Sequence, residues 1–165
     1  MDRRTVLFGG TAVAALLAGG LFWRNGRPEE ALAETFEIEK TDDEWRKVLT
    51  PEQFDILRRQ GTERAGSSPL DHETRKGIYH CAGCELAVYS SDAKYDSGTG
   101  WPSFWQSLPD AVRTRQDNSL FMVRTEVHCR RCGGHLGHIF DDGPPPTGKR
   151  HCLNGLALSF KPATA

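Results

Sequence analysis

Residues 120–140 read LFMVRTEVHCRRCGGHLGHIF and predict two β-strands separated by a tight turn. Apolar and polar side chains alternate along residues 120–129, which is the pattern of a strand with one buried face. The predicted inner face carries Phe121, Val123, Val127 and Cys129, and the predicted outer face carries Arg124, Glu126 and His128. Glycines at positions 133 and 134 suit the turn, and residues 135–140 form the second candidate strand.

Three more segments predict strands, at residues 78–80, 85–89 and 152–160. The last of these places Leu156, Leu158 and Phe160 on one side. With 17 glycines and 9 prolines in 165 residues, long helices cannot dominate the fold. We therefore expect a mainly β domain of antiparallel sheets.

Two short helices are predicted ahead of the strands. Thr41 and Glu44 form a capping box for a helix over residues 42–49. Thr50, followed by Pro51 at the first helical position, starts a second helix that Gly61 is expected to end. This pair is expected to dock as a small helical cap through Trp45, Val48, Leu49, Phe54, Ile56 and Leu57.

The chain length and charge limit the classes of function. The sequence has 165 residues, enough for one domain, and carries 21 basic against 22 acidic side chains. A net charge of −1 gives no general attraction to nucleic acid or to an anionic membrane. We therefore expect no nucleic-acid partner.

Residues 1–33 resemble a bacterial export signal of the twin-arginine class. Arg3 and Arg4 precede a glycine-interrupted, uncharged stretch at residues 6–23, and Ala31 to Ala33 offer a small-residue cleavage site. Cleavage after Ala33 would leave a mature periplasmic domain of residues 34–165 with a net charge of −2. An uncleaved N-terminal membrane anchor is the alternative.

Four of the five cysteines form two Cys-x-x-Cys pairs, namely Cys81 with Cys84 and Cys129 with Cys132. Two such pairs can supply four thiolates to a tetrahedral Zn²⁺ ion, and a closed shell of four sulfurs is typical of a structural site. Structural disulfides, or a redox-active pair, are the alternatives. Glycines after Cys132 disfavour the helix that a redox pair normally opens.

The fifth cysteine, Cys152, follows Lys149, Arg150 and His151. Nearby positive charge favours the thiolate, so Cys152 is the candidate nucleophile. The alternative is a buried cysteine that acts as a small hydrophobic residue. Gly155 predicts a bulge that could turn this segment towards a cleft.

In chain order, the motifs resemble those of methionine-(R)-sulfoxide reductases of the B class. The resemblance extends over residues 41–162. It rests on the two Cys-x-x-Cys pairs, GWPSF at 100–104, GHLGHIF at 134–140 and RHCLN at 150–154.

The resemblance implies a fold and a set of roles. It implies two antiparallel sheets in an open barrel-like domain, with one structural zinc ion bound by Cys81, Cys84, Cys129 and Cys132. Cys152 would be the nucleophile that reduces the R epimer of methionine sulfoxide in oxidised proteins. The implied substrate-binding residues are Trp101 at the methyl group, His135, His138 and Asn154 at the sulfoxide oxygen, and Arg150, which would line the site and favour the thiolate.

Thr99 marks a departure from the common pattern of this family. Many members carry a resolving cysteine two residues before the tryptophan, where this chain has Thr99. We therefore expect a thioredoxin-like protein or another external thiol to reduce the sulfenic acid on Cys152. Separately, we expect the protein to be a monomer. Two other functions stay open on the residues alone: a non-catalytic zinc-binding interaction module, and a thiol redox sensor.

Overall fold

The computed structural model describes residues 34–119 and 122–164, and those from Thr35 onward form one structural unit. Two helices precede nine strands. The helices are α1 (Asp42–Val48) and α2 (Pro51–Arg59). The strands are β1 (Gly77–Cys81), β2 (Ala87–Ser90), β3 (Lys94–Tyr95), β4 (Ser103–Phe104), β5 (Val112–Asp117), β6 (Arg124–Cys129), β7 (His135–Phe140), β8 (Arg150–Leu153) and β9 (Leu158–Pro162).

The strands form two antiparallel sheets, so the expected mainly β architecture is confirmed. A three-stranded sheet has the order β2-β1-β9, and a six-stranded sheet has the order β3-β4-β8-β7-β6-β5. The two sheets are not a closed barrel, since the hydrogen-bonded neighbours in each described sheet end at edge strands. Their facing sides meet through aromatic rings: the centroid of Tyr79 in β1 lies 4.9 Å from that of Phe104 in β4.

Both predicted helices are confirmed, and so is the capping residue at the start of each one. Thr41 and Thr50 each cap a helix with a reciprocal side-chain bond from the third helical residue. α2 ends at Arg59 rather than at Gly61, because Gln60 adopts the left-handed conformation with φ 58°. The expected docking of Val48 is wrong, since its side chain is 60% exposed.

The predicted strand at residues 120–129 is shorter in the structure, and both of its faces are buried over residues 126–129. β6 begins at Arg124, Val123 is 73% exposed, and residues 120 and 121 lie outside the described segments. Glu126 and His128, expected to face outward, are buried. β6 lies between β5 and β7. On its polar face, Glu126 contacts His135 of β7 rather than solvent.

The segment predicted as one strand at residues 152–160 is divided between the two sheets. β8 pairs in the six-stranded sheet and β9 in the three-stranded sheet, with a 3₁₀ turn at Gly155–Ala157 between them. The break at Gly155 is therefore a change of sheet rather than a bulge within one strand. Similarly, the strand expected at residues 85–89 starts at Ala87, because Glu85 has a positive φ of 58° in the preceding turn.

The expected export signal at residues 1–33 lies outside the described residues. Within the described segments, no helix has the length and apolar character that a membrane crossing requires.

Candidate active site and cysteine cluster

The register of the six-stranded sheet places one residue of each strand in a single row across the sheet. From β3 to β5, the paired residues are Tyr95, Ser103, Cys152, His138, Glu126 and Arg115. Residues that pair directly across neighbouring strands project from the same face of a sheet. The row therefore puts the candidate nucleophile Cys152 beside His138.

A β-bulge brings His135 to the same face as His138. Two residues three apart in a regular strand point to opposite faces. Here the pairing of β6 with β7 shifts after Val127, so that Val127 pairs with Gly137 and His128 pairs with His135. Leu136 is the extra residue in β7, and it turns the His135 side chain to the same face of the sheet as His138. As a result, the two imidazole centroids lie 5.2 Å apart.

Gly137, between these histidines, permits β7 and β8 to approach each other closely. A Cβ atom at this position would lie 2.0 Å from the carbonyl oxygen of Cys152. Any side chain here would therefore push the strand that carries Cys152 away from the strand that carries His138.

His135 is held by Glu126, a residue that sequence reasoning assigned to a solvent face. The His135 Nδ1 lies 2.7 Å from the Glu126 Oε1, both side chains are buried, and Arg115 pairs with the same carboxylate. Burial opposes ionisation of Glu126, but the bonds from His135 and Arg115 outweigh it and lower its pKa to about 2. With Nδ1 bound to the carboxylate, the buried His135 Nε2 has no hydrogen-bond partner among the described residues.

His138 is held by a second carboxylate, which the sequence analysis also missed. The His138 Nε2 lies 2.8 Å from Oδ2 of Asp117, and that oxygen also accepts a bond of 2.7 Å from Arg124. Burial lowers the pKa of His138, while the bond to Asp117 opposes the shift. His135 is thus bonded to Glu126, which pairs with Arg115. His138 is bonded to Asp117, which pairs with Arg124.

A cavity of about 160 Å³ opens over these groups. Its lining includes Trp101, Arg124, His138, Phe140, Cys152 and Asn154. Four of the predicted site residues therefore meet in one place, while His135 lies buried beside His138.

Hydrogen bonds orient two walls of this cavity. The Trp101 indole nitrogen donates to the Glu63 carbonyl oxygen at 3.1 Å. The Asn154 Nδ2 donates to the Leu136 carbonyl at 3.3 Å, and its Oδ1 accepts from the Glu63 amide at 3.0 Å. An amide NH₂ carries two protons, so one N–H of Asn154 remains outside these bonds.

The three basic residues before Cys152 do not act together on its thiol. Lys149 pairs with Asp141, and Arg150 makes a bidentate pair with Asp142 at 2.8 Å for both bonds. Burial and the Lys149 charge lower the pKa of His151 to about 4, so its imidazole is neutral near pH 7. Of these three residues, Arg150 is therefore the cation that lowers the pKa of the Cys152 thiol. The negative charge of Asp142 partly offsets this effect.

Positive charge near Cys152 does favour its thiolate, as expected, but burial has the larger and opposite effect on its pKa. Burial raises the pKa of the thiol above its ordinary value. The Arg150 charge and hydrogen bonds from Thr99 and Arg150 lower it, but they do not overcome burial. Thr99, at the position of a resolving cysteine, is thus within hydrogen-bonding reach of the nucleophile.

These opposing effects predict the alkylation behaviour of Cys152. We expect its reaction with iodoacetamide to accelerate as pH rises, with a midpoint above that of an unperturbed cysteine, because only the thiolate reacts. Arg150→Ala should raise this midpoint and slow alkylation at pH 7, since the variant lacks the charge that lowers the pKa.

Asp142→Asn is the control, because it should change the Cys152 pKa in the opposite direction. It removes a charge that raises the Cys152 pKa, so alkylation at pH 7 should accelerate. Mass spectrometry of the Cys152 peptide over a pH series measures both rates. Faster alkylation in Arg150→Ala would contradict this account.

The other four cysteines form a separate cluster. Their sulfur atoms all lie within 4.8 Å of one another, with Cys81 Sγ 3.7 Å from Cys132 Sγ and Cys84 Sγ 3.5 Å from Cys129 Sγ. Four sulfurs around a zinc ion at about 2.3 Å stand roughly 3.8 Å apart, whereas a disulfide requires about 2.05 Å. The cluster therefore has the dimensions of a tetrahedral metal site.

The cluster lies between the two sheets. Cys81 ends β1 of the smaller sheet, and Cys129 ends β6 of the larger one. Neither Cys-x-x-Cys pair opens a helix; Gly133, with φ +67°, makes the turn after the second pair, where the ring of Phe36 would clash with any Cβ. Since Cys129 is three residues beyond Glu126, about 10 Å along the strand, this cluster is separate from the cavity.

Comparison with known proteins agrees with this arrangement. Residues 49–162 match the model of the SelR domain family. The chain is 55% identical over 125 residues to the peptide methionine sulfoxide reductase MsrB of Methanosarcina barkeri, which covers 75% of this chain and 88% of that protein. The MsrB of Thiobacillus denitrificans is 56% identical over 124 residues, and that of Agrobacterium fabrum 51% over 126 residues; these cover 74% and 76% of this chain and 94% and 93% of those proteins. With more than half of its length matched by the family model, and with relatives at this identity, the chain belongs to the peptide methionine sulfoxide reductase MsrB family.

Proposed function

We propose that this protein reduces the R epimer of methionine sulfoxide in oxidised proteins, with Cys152 as the nucleophile. The observation that carries the proposal is the cavity in which the Cys152 thiol, the His138 imidazole and the Trp101 ring meet. A sulfoxide needs these three kinds of group: a thiol to take the oxygen, a proton donor, and an apolar surface for the methyl group.

The cavity accounts for selection between sulfoxide epimers. Methionine sulfoxide is polar and chiral at sulfur. The Trp101 ring would contact the methyl group, and the free N–H of Asn154 and the histidines would bind the oxygen. A pocket that fixes methyl group, oxygen and side chain in three different places fits one configuration at sulfur.

Proton supply falls to the two histidines. With Nδ1 of His135 bonded to Glu126, its Nε2 is the ring nitrogen left to exchange a proton with the sulfoxide oxygen. Proton donation to the sulfoxide oxygen makes the sulfur more electrophilic as Cys152 attacks it.

The first half-reaction balances without another reactant. The Cys152 sulfur attacks the sulfoxide sulfur and forms an S–S bond. This S–S bond and the original S–O bond then break as the oxygen bonds to the Cys152 sulfur, and the thiol proton ends on that oxygen. Methionine leaves and Cys152 becomes a sulfenic acid, so methionine sulfur gains the electron pair that the cysteine loses.

Regeneration of Cys152 is proposed to require an external dithiol such as a thioredoxin-like protein. Its first thiol displaces the sulfenic oxygen as water and forms a mixed disulfide; its second thiol breaks that disulfide and restores Cys152. The reason lies in the cysteine count: four of the five are in the cluster, and Thr99 has a hydroxyl group where a second thiol would act.

The cysteine cluster is proposed to bind one structural zinc ion. Four sulfur ligands fit Zn²⁺ and leave no open position, so the ion would stabilise the contact between the sheets and take no part in the reduction. We also propose that the protein is a monomer and that residues 1–33 direct export to the periplasm, with cleavage after Ala33 leaving residues 34–165 in the active form.

A single-turnover experiment tests the proposed function. One equivalent of R-sulfoxide peptide, without reductant, should yield one methionine, leave a sulfenic acid on Cys152, and consume one thiol in the zinc-bound protein. The S epimer should give no methionine. In Thr99→Cys, a thiol replaces the hydroxyl that bonds Cys152, so we expect the same experiment to consume two thiols and form a disulfide.

Thr99→Ser serves as the matched control, since it retains a hydroxyl group and should consume one thiol. Dimedone labelling and mass spectrometry identify the sulfenic acid and the disulfide. Equal turnover of both epimers, or loss of a cluster thiol in place of Cys152, would refute the proposal.

A further inference from the structure

Glu63 is a buried carboxylate without an assigned role. It lies in the loop that follows α2, directly after Thr62, which lines the cavity. Its side chain is 8% exposed. Carboxylates are rarely buried to this degree unless their oxygens are well bonded, so the partners of Glu63 indicate what it does.

The carboxylate binds the backbone of the 3₁₀ turn that follows β8. Its Oε1 accepts from the Gly155 amide at 2.5 Å, and its Oε2 accepts from the Leu156 amide at 3.1 Å. These are the first two amides of the turn, which lack partners within the turn. Glu63 therefore supplies the cap of the turn from a distant part of the chain.

This external cap changes what Asn154 does. Asn154 is the N-cap residue of the turn, but its side chain makes no capping bond. Asparagine at such a position ordinarily bonds the amides of the turn with its own side-chain oxygen. Because Glu63 occupies those amides, the Asn154 side chain instead bonds the Glu63 amide and the Leu136 carbonyl and faces the cavity.

The backbone of Glu63 holds the other wall of the cavity as well. Its carbonyl oxygen accepts the bond from the Trp101 indole. The Leu136 carbonyl that Asn154 binds belongs to the bulge that brings the two histidines together, and the Asn154 backbone amide donates to that carbonyl at 2.9 Å. Glu63 is thus bonded to both cavity walls, and through Asn154 to the bulge.

We propose that Glu63 is a positioning residue for substrate binding, which keeps the Asn154 amide and the Trp101 ring turned into the cavity. The proposal rests on the proposed function for its kinetic consequence. Without the carboxylate, the first two amides of the turn lose their acceptor, and the side-chain oxygen of the N-cap residue Asn154 takes its place. Asn154 then rotates away from the cavity, and its bond to the Glu63 amide is lost.

Glu63→Gln is the variant to measure. It keeps the side-chain size and one acceptor oxygen, but it places an NH₂ group against a backbone amide, which leaves that amide without an acceptor. We expect KM for an R-sulfoxide peptide to rise about tenfold, with kcat within about threefold of the wild type, because the cavity walls bind substrate and the thiol is untouched. The rate of Cys152 alkylation should not change.

Glu73→Gln is the matched control. Glu73 is also a carboxylate that accepts a backbone amide bond, here from Arg75, and it does not line the cavity. Its KM should stay at the wild-type value. Equal KM values for Glu63→Gln, Glu73→Gln and the wild type would overturn the proposal.

Nuclear magnetic resonance provides a readout that does not depend on activity. The Trp101 indole N–H and the Asn154 side-chain NH₂ signals should move in Glu63→Gln and stay in place in Glu73→Gln, in protein shown to be folded by its melting curve. Unmoved signals would overturn the proposal even if KM changed. If the wild type reduced neither epimer, the proposed function would fail, whereas these signals would still decide the role of Glu63.

Discussion

Cys152→Ser is expected to abolish reduction of R-sulfoxide peptides, with kcat/KM lower by at least about 10³-fold. A serine hydroxyl is a far weaker nucleophile at neutral pH and cannot take the sulfoxide oxygen to form a sulfenic acid. The neighbouring groups stay in place, since strand pairing fixes His138 and the Glu63 carbonyl holds the Trp101 indole, both independently of the thiol. A coupled assay with purified R and S epimers measures the loss.

The fold of Cys152→Ser provides the control for this result. Cys152 is partly buried in β8 and lies outside the cysteine cluster. The variant should therefore bind metal and melt like the wild type, within a few degrees. Retention of more than a tenth of the activity by a folded Cys152→Ser would show that another group performs the reduction.

Cys129→Ser is expected to unfold the domain at 37 °C. Structural zinc contributes an apparent binding free energy of about 10–16 kcal/mol in small zinc domains, as large as the roughly 5–15 kcal/mol stability of a typical domain. Cys129 is fully buried at the end of β6, so its replacement would remove one of the four proposed metal ligands and weaken the proposed link to the smaller sheet. A strong chelator should have the same effect on the wild type.

Metal analysis and thermal melting together check this second prediction. The wild type should contain about one zinc ion per chain, Cys129→Ser markedly less, and Cys152→Ser as much as the wild type. Thus the two cysteine variants separate chemistry from stability. A Cys129→Ser protein that melted within a few degrees of the wild type would refute a stabilising metal site.

The sequence alone was enough for features that depend on neighbours in the chain. Thr41 and Thr50 predicted where both helices begin, because a capping box needs only residues three apart. The paired cysteines, and the motifs around Trp101 and Cys152, predicted the family, since each motif is a short run of defined chemistry.

The tertiary structure decided everything that depends on pairing between strands. Alternation along β6 could not show that Glu126 faces His135 rather than water, because that follows from the position of β6 between two other strands. A spacing of three would put His135 and His138 on opposite faces of a regular strand, and only the bulge in β7 brings their rings together.

The ionisation of Cys152 also depends on both the sequence and the tertiary structure. In the sequence, three basic residues precede Cys152 and favour its thiolate; in the fold, each has its own partner, and burial raises the pKa of the thiol. Glu63 reaches the turn after β8 across more than 90 residues of chain. The sequence determined which chemical groups this protein has and where its short motifs lie. Only the tertiary structure decided which groups meet, because electrostatic and hydrogen-bond effects depend on distances and burial that chain order does not contain.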